Sequence, residues 1–219
     1  MTRAARAEGP SAHTGAGVGA DGVEGTGTRA RLLHAAAEVI QEGGWGSASV
    51  GAIARRAGVA AGTLYRHFPS KADLFLEVFR AVSQHEMAAM RTAEATATSI
   101  GERFDAIVGT YARRALHNRR LAWALVYEPL DASVDVERLA YRRIYCEGMA
   151  ALIRKGIEAG TIPSQDPNLA AAAVVGVIAE TLVSPLSPVA ADDADASEEA
   201  IVQAILTFCR RVIGWPTGA

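Results

Sequence analysis

The sequence predicts an all-α chain, an N-terminal three-helix unit followed by a larger helical body. Three observations point there. Apolar residues recur at three- and four-residue spacing along most of the chain, no stretch alternates apolar and polar residues as a half-buried strand would, and Gly and Pro clusters mark the breaks between periodic segments. At 219 residues, 50% of them hydrophobic, the chain can bury a substantial core.

Residues 1–27 carry seven glycines and no apolar periodicity. So little apolar surface does not offset the entropy of ordering, and a disordered arm is expected. Thr28 is the expected N-cap of a first helix to about residue 42, with Leu32, Leu33, Ala36, Val39 and Ile40 on one stripe and Gly43 and Gly44 ending it. Trp45 follows in the loop as expected core filler, and Ser47 and Ser49 sit where hydroxyls can meet a phosphate.

Ser49 then caps a short helix over 50–57, with Ile53, Ala54 and Ala57 at helical spacing. Gly58 supplies the left-handed residue that ends it. The chain restarts over 61–68, where Leu64 and Phe68 lie four apart on one face and Thr63, Tyr65, Arg66 and His67 are left largely exposed. With Ala54 small, Gly58 at the turn and Leu64 buried, the two helices can cross closely at a steep angle. That is a helix-turn-helix arrangement, whose second helix fits a major groove.

Ser70 is expected to cap a long helix whose positive end favours Asp73. Leu74, Phe75, Val78, Phe79 and Val82 continue its stripe, which fades near 92–99, so one helix can join the two units. Five more helices are expected at about 100–117, 120–128, 133–159, 167–184 and 198–213, bounded by Asn118, Pro129, residues 160–163, Pro185 and Pro188, and residues 214–216. The acidic, proline-interrupted stretch 186–199 is expected to be a mobile loop.

The run GVAAGTLYRHFPSKADLF, with the residues around it from Thr28 to about Arg80, resembles the DNA-binding signature of the TetR family of transcriptional regulators. The resemblance implies three divisions: an arm (1–27), a helix-turn-helix DNA-binding domain (28–80) and a helical effector-binding and dimerisation domain (81–219). It also implies that Tyr65 and Lys71 hold phosphates, that Ser49 and Thr63 add hydroxyl contacts, and that Gly62 allows close backbone approach. Arg66 and His67 are left for base edges or neighbouring phosphates; for His67 the alternative is a core-edge residue packing beside Phe68. The family usually has Ser or another capping residue where this chain has Ala60. Its loss costs about 0.5–2 kcal/mol and leaves the reader helix looser at its start.

Charge follows the same division. Residues 28–80 hold seven basic and four acidic side chains, a balance of +3, while 81–219 hold thirteen and seventeen, a balance of −4. A phosphate reader attached to a body that does not bind nucleic acid has this asymmetry. One such reader covers few base pairs, so two copies on a palindrome are expected. Residues 168–183 are apolar nearly all round and must be buried on several sides. In the family the last two helices build a four-helix dimer interface, which here implies Val174, Val175, Ile178, Leu182, Ile201, Ile205, Phe208 and Val212.

The middle helices carry Phe104, Tyr111, Trp123 and Tyr127, then Tyr141, Tyr145 and Met149 at a four-residue repeat. Such a stripe is core by default. Buried tyrosine hydroxyls seek partners, however, and the resemblance implies an effector cavity among these helices, so the seven are candidate pocket residues for an apolar or aromatic effector.

Nothing comparable suggests catalysis. His13, His34, His67, His85 and His117 are scattered, Cys146 and Cys209 have no metal-ligand spacing, and there is no phosphate-binding glycine loop or nucleophile elbow. No catalytic residue, metal or cofactor is expected. The pairs Arg113-Arg114, Arg119-Arg120 and Arg142-Arg143 read as solvated helix faces, with anion or effector binding as the alternative. The longest apolar stretch, 169–179, falls short of the ~20 residues of a membrane span, and Arg3 and Arg6 have no apolar run behind them, so a cytoplasmic location is expected. The expected function is a repressor released from a palindromic operator by a small, largely apolar effector. Activation, or a sensor with a vestigial reader, is the alternative.

Overall fold

A computed structural model describes residues 27–129, 132–189 and 197–215. Residues 1–26 of the expected N-terminal arm, with Arg3, Arg6 and His13, and residues 190–196 of the expected loop lie outside the described residues. Within them the chain forms α1 (Thr28–Ser47), α2 (Val50–Arg56), α3 (Ala61–His67), α4 (Lys71–Ala95), α5 (Ile100–His117), α6 (Arg119–Val126), α7 (Ala132–Glu158), α8 (Pro167–Thr181), α9 (Val183–Leu186) and α10 (Glu198–Val212). The described residues form no strand.

Local chemistry accounts for most of the boundaries. Ser49 Oγ accepts from the Ala52 amide at the head of α2. Ser70 with Asp73 and Ser99 with Glu102 form reciprocal capping boxes on α4 and α5. Asp166 and Ser197 cap α8 and α10. The expected Thr28 cap is not there: Gly27, at φ 112°, leads the chain into α1, and Thr28 is the first helical residue. Gly44, at φ 74°, breaks α1 where the glycine pair suggested, but helix resumes for the few residues to Ser47. Gly58 takes the left-handed conformation, φ 66°, between α2 and α3. α3 has no capping side chain, because Ala60 holds the N-cap position.

Two hydrophobic cores follow. The first joins Leu32, Ile40, Ile53, Leu64, Phe68, Leu74 and Phe75 of the reader with Leu121, Ala124 and Leu125 of α6 and Val134 and Tyr141 of α7. The second packs α5, α7, α8 and α10 around Phe104, Val108, Ile153, Val174, Val202 and Cys209. The expected boundary at residue 80 therefore falls inside one continuous helix, and the reader's core is closed by side chains from the body. Burial pushes the Cys209 thiol up to about 12, which fits a packing residue rather than a nucleophile.

Candidate nucleic-acid interface and effector cavity

The reader surface is built by α3, whose buried Leu64 and following Phe68 anchor one face and turn the other outward. Gly62, Tyr65, Arg66 and His67 are exposed, Tyr65 to 54%, and Thr63 is half-buried. A Cβ on Gly62 would meet nothing within 4 Å, so the backbone there is open to close approach. Arg66 Nη2 donates to Thr63 Oγ1 at 2.9 Å, which pre-orients the guanidinium along the helix. His67 stands with its ring 6.5 Å from that of Phe68 but remains exposed. Ser49 caps α2 through its acceptor and keeps its O–H to give. Ser47 turns back instead, donating to Gly44 O at 2.9 Å.

The reader's cations divide into two groups. Arg29 and Arg80 are paired with Glu77, Arg80 also with Glu137, and Arg56 with Glu38 and Glu42. Arg31, Arg55, Arg66 and Lys71 have no carboxylate partner among the described residues. Arg31 and Arg55 do not stand out in the sequence, since each has a basic neighbour on its own helix, Arg29 and Arg56, and such residues look alike until their partners are known.

Lys71 is held in a distinct way. Its Nζ donates to Trp45 O at 3.2 Å and lies 4.3 Å from the Trp45 ring centroid, and partial burial lowers its pKa. The same tryptophan packs against Phe75, 4.1 Å between centroids with the rings inclined at 60°, and its amide donates to the Glu128 carboxylate at 2.8 Å. Arg120 pairs with Glu128 at 3.1 Å and donates to Gly43 O at 3.0 Å, and Gln41 donates to Asn118 Oδ1 at 2.6 Å. A Cβ on Gly44 would collide with the Arg120 guanidinium, so the glycine turn is shaped to receive it. Both flanks of α6 thus clasp the end of α1, and through Trp45 they reach the Lys71 ammonium.

Between α4, α5, α6, α7 and α8 lies a cavity of about 520 Å³, within the ~300–1,000 Å³ usual for small-molecule sites. Its wall is mainly apolar, with Phe79, Met87, Met90, Ile107, Leu125 and Ile178 prominent. Of the seven expected pocket residues, Tyr111, Tyr141, Tyr145 and Met149 line it. Phe104, Trp123 and Tyr127 do not. Phe104 is fully buried in the second core beside Trp215; Trp123 and Tyr127 stack on each other, 4.9 Å between centroids, and the Tyr127 hydroxyl donates to Ala179 O. A more open groove on the reader, bordered by Glu42, Gly43, Arg55 and Arg56, holds the Arg56–Glu42 ion pair.

One wall feature was not anticipated. Glu86 of α4 accepts from Arg114 Nε at 2.7 Å and Nη2 at 3.0 Å, with side chains only 10% and 13% exposed. Arg114 is therefore a buried partner, not a solvated face residue. A signal existed: Glu86 interrupts the apolar row Val82, Glu86, Met90 at four-residue spacing.

Val174, Ile178, Leu182 and Ile205 are buried inside the chain's own core. This corrects their expected role as partner-facing residues: α8 and α10 pack on each other and on α5 and α7 first, which consumes those side chains. Val175 lines the cavity, and Ile201 and Val212 pack half-buried against the core. The apolar surface left outward on α8 and α10 is Leu169, 71% exposed, and Phe208, 51% exposed, with Ala172, Ala173 and Ala204 also exposed. Among the described residues no helix is long and apolar enough to cross a membrane, and no group of three or more His, Cys, Asp and Glu is placed to hold a metal ion.

A helix-turn-helix unit whose core is closed by a helical body is the architecture of a DNA-binding transcriptional regulator. Residues 32–78 match the family model of bacterial regulatory proteins, tetR family, and residues 97–182 match that of the tetracyclin repressor-like C-terminal domain. The chain belongs to the TetR family of transcriptional regulators. It is 37% identical over 112 residues to the HTH-type transcriptional repressor KstR of Mycobacterium tuberculosis, the match covering 50% of each chain. It is 24% identical over 157 residues to the fatty acid metabolism regulator protein of Bacillus subtilis, covering 70% of this chain and 81% of that one. The solved structure of the transcriptional regulator FadR from Bacillus subtilis in complex with stearoyl-CoA superposes with a TM-score of 0.69 at 22% identity, covering 84% of this chain and 97% of that one. The chain thus spans about half the length of the KstR relative, and its likeness to the FadR structure is one of fold.

Proposed function

We propose that this protein is a repressor that occupies a palindromic operator as a homodimer, in the cytoplasm, and leaves it when a long-chain, largely apolar effector enters the cavity. The observation that carries the reading is that α4 belongs to both sites. Its N-terminus follows the reader helix directly, and its Phe79, Val82, Glu86 and Met90 form one wall of the cavity. The reader helix would contact DNA through Gly62, Thr63, Tyr65, Arg66 and His67, with Lys71 from the start of α4 and Ser49 from the head of α2. Kinship supports the ligand class: one relative is named for fatty acid metabolism, and one fold neighbour is a regulator in complex with stearoyl-CoA.

The mechanism is linkage. An effector that fits the cavity better in a conformer with displaced readers weakens DNA binding by its differential affinity for the two states, and DNA weakens effector binding by the same factor. Two connections can carry the shift, α4 itself and the α6 clasp on the Gly43–Trp45 turn, which holds Lys71 through Trp45. Dimerisation would use the outward side chains of α8 and α10, centred on Leu169 and Phe208.

The test is selection of bound DNA from a random pool at fixed salt, followed by a reporter under the selected sequence. Enrichment of a palindrome, with reporter output rising on deletion of the gene, supports repression. Output that falls on deletion indicates activation instead. A pool without enrichment, and binding that does not weaken with salt, would leave the helix-turn-helix unit vestigial.

A further inference from the structure

The cavity's polar lining combines the carboxylates Glu86 and Glu94 with Ser83, three tyrosines and three arginines. Tyr111 of α5 and Tyr145 of α7 face each other edge to face, 6.1 Å between ring centroids, in the middle of the apolar wall. Neither hydroxyl has a hydrogen-bond partner among the described residues. Both oxygens stay accessible, since no fully enclosed side-chain polar atom among those residues lacks a partner. Burial pushes the Tyr111 phenol up to about 12, Glu86 adding to the effect and Arg142 opposing it; burial raises Tyr145 as well. Both are therefore neutral O–H donors at physiological pH.

Arg142 completes the group. It lines the cavity, its charge acts on Tyr111, and a Cβ on Gly176 would lie 3.7 Å from its Nη2, which sets the guanidinium against the α8 backbone. It forms no ion pair among the described residues, although Arg138 and Arg143 on the same helix are paired with Asp135 and Glu147. Two carboxylates line the cavity as well: Glu86, whose two oxygens are both bound by Arg114, and Glu94 near the C-terminal end of α4. Two accessible phenol hydroxyls in an apolar wall, beside an exposed guanidinium that also lines the cavity, offer convergent donors to an acceptor from outside.

We propose that Tyr111, Tyr145 and Arg142 form an acyl-reading site, in which the carbonyl or carboxylate oxygen of an aliphatic acyl ligand accepts from the two phenols and the guanidinium while its chain lies along Met87, Met90, Ile107 and Met149. This deepens the proposed effector reading and rests on it for its regulatory meaning, though not for binding itself. Two sources carry the same chemistry, a free fatty acid and an acyl thioester. They differ in the charge placed at the acceptor, full in the carboxylate and absent from the thioester carbonyl.

The test is calorimetric titration of the full-length protein, below micelle concentrations, with palmitate, palmitoyl-CoA and dodecyltrimethylammonium, which has a chain and no acceptor. At least one acyl ligand is expected to bind, and Tyr111→Phe with Tyr145→Phe should weaken it by about tenfold while leaving the cationic amphiphile unchanged. Arg142→Gln should weaken palmitate more than palmitoyl-CoA if the site takes the free acid, and both similarly if it takes the thioester. Each single Tyr→Phe variant is measured too, with its thermal midpoint, so that the double variant's stability does not decide the result. Acyl affinity unchanged within twofold in the Tyr→Phe variants would overturn the site, as would failure of both acyl ligands to bind the natural protein. Acyl binding that depends on the tyrosines but does not release DNA would uphold the site and overturn the repressor mechanism.

Discussion

Ala60 is where the sequence of the reader departs from what a helix start requires, and the departure can be repaired. The residue has the extended conformation of an N-cap, φ −69° and ψ 146°, so a serine fits there without a backbone change. In the natural protein the Thr63 amide donates to Ala60 O at 2.8 Å, a tight turn rather than a side-chain cap, and α3 is only seven residues long. Ala60→Ser should stabilise α3 by about 1 kcal/mol, within the ~0.5–2 kcal/mol measured for caps, which slows exchange of its first-turn amides about fivefold if they open locally. The assay is amide hydrogen exchange of residues 61–64 against those of α2, which has its Ser49 cap. In the natural protein the α3 amides should exchange faster than those of α2, and the variant should close the gap and bind operator at least as tightly. First-turn amides of α3 already as protected as those of α2, or unmoved by the Ala60→Ser substitution, would refute the idea of a loosened reader.

Other predictions follow from the body. Glu86→Ala removes the carboxylate that accepts two hydrogen bonds from the buried Arg114 guanidinium and should cost about 3–5 kcal/mol in denaturant unfolding; joint replacement by Glu86→Leu and Arg114→Met should recover most of that, and a single-variant loss near zero would contradict the burial seen for the pair. Phe208→Asp places a charge on the outward face of α10 and should convert the proposed dimer to monomer in sedimentation, whereas unchanged mass would remove that face from the proposed interface. Glu199, hydrogen-bonded by Arg113 and Gln203, has its carboxyl lowered from 4.5 to about 2. A pKa depressed by folding stabilises the folded state above the unfolded value, so the α5–α10 tie should hold at neutral pH and be lost as pH falls from about 4.5 to about 2. A carboxyl NMR titration should find that low midpoint and see it return toward 4.5 in Arg113→Gln.

Much of the fold is legible because short-range chemistry sets it. Ser49, Gly58 and Ser70 act within a turn of themselves, so the limits of α2, α3 and α4 follow from the residues at them. The cavity is another matter. Helical spacing tells which face of α5 is apolar, but Phe104 and Tyr111 share that face, and only the placement of α7 and Trp215 decides that one fills the core and the other borders the cavity. The same holds for α8, where Val174 and Val175 are equally apolar and differ by one step around the helix; the first enters the core and the second the cavity. Arg114 and Glu86 stand 28 positions apart, and Glu128 and Trp45 83 apart, so these pairs form only when the fold brings their helices together.

The most direct test of the account is fluorescence anisotropy of the full-length protein on its selected operator, at constant salt, with palmitoyl-CoA and palmitate titrated in. Release of the operator is predicted, with ligand affinity weakened in the presence of operator by the same factor as operator affinity is weakened by ligand. An operator complex that stays intact while calorimetry shows the cavity ligand bound would contradict it.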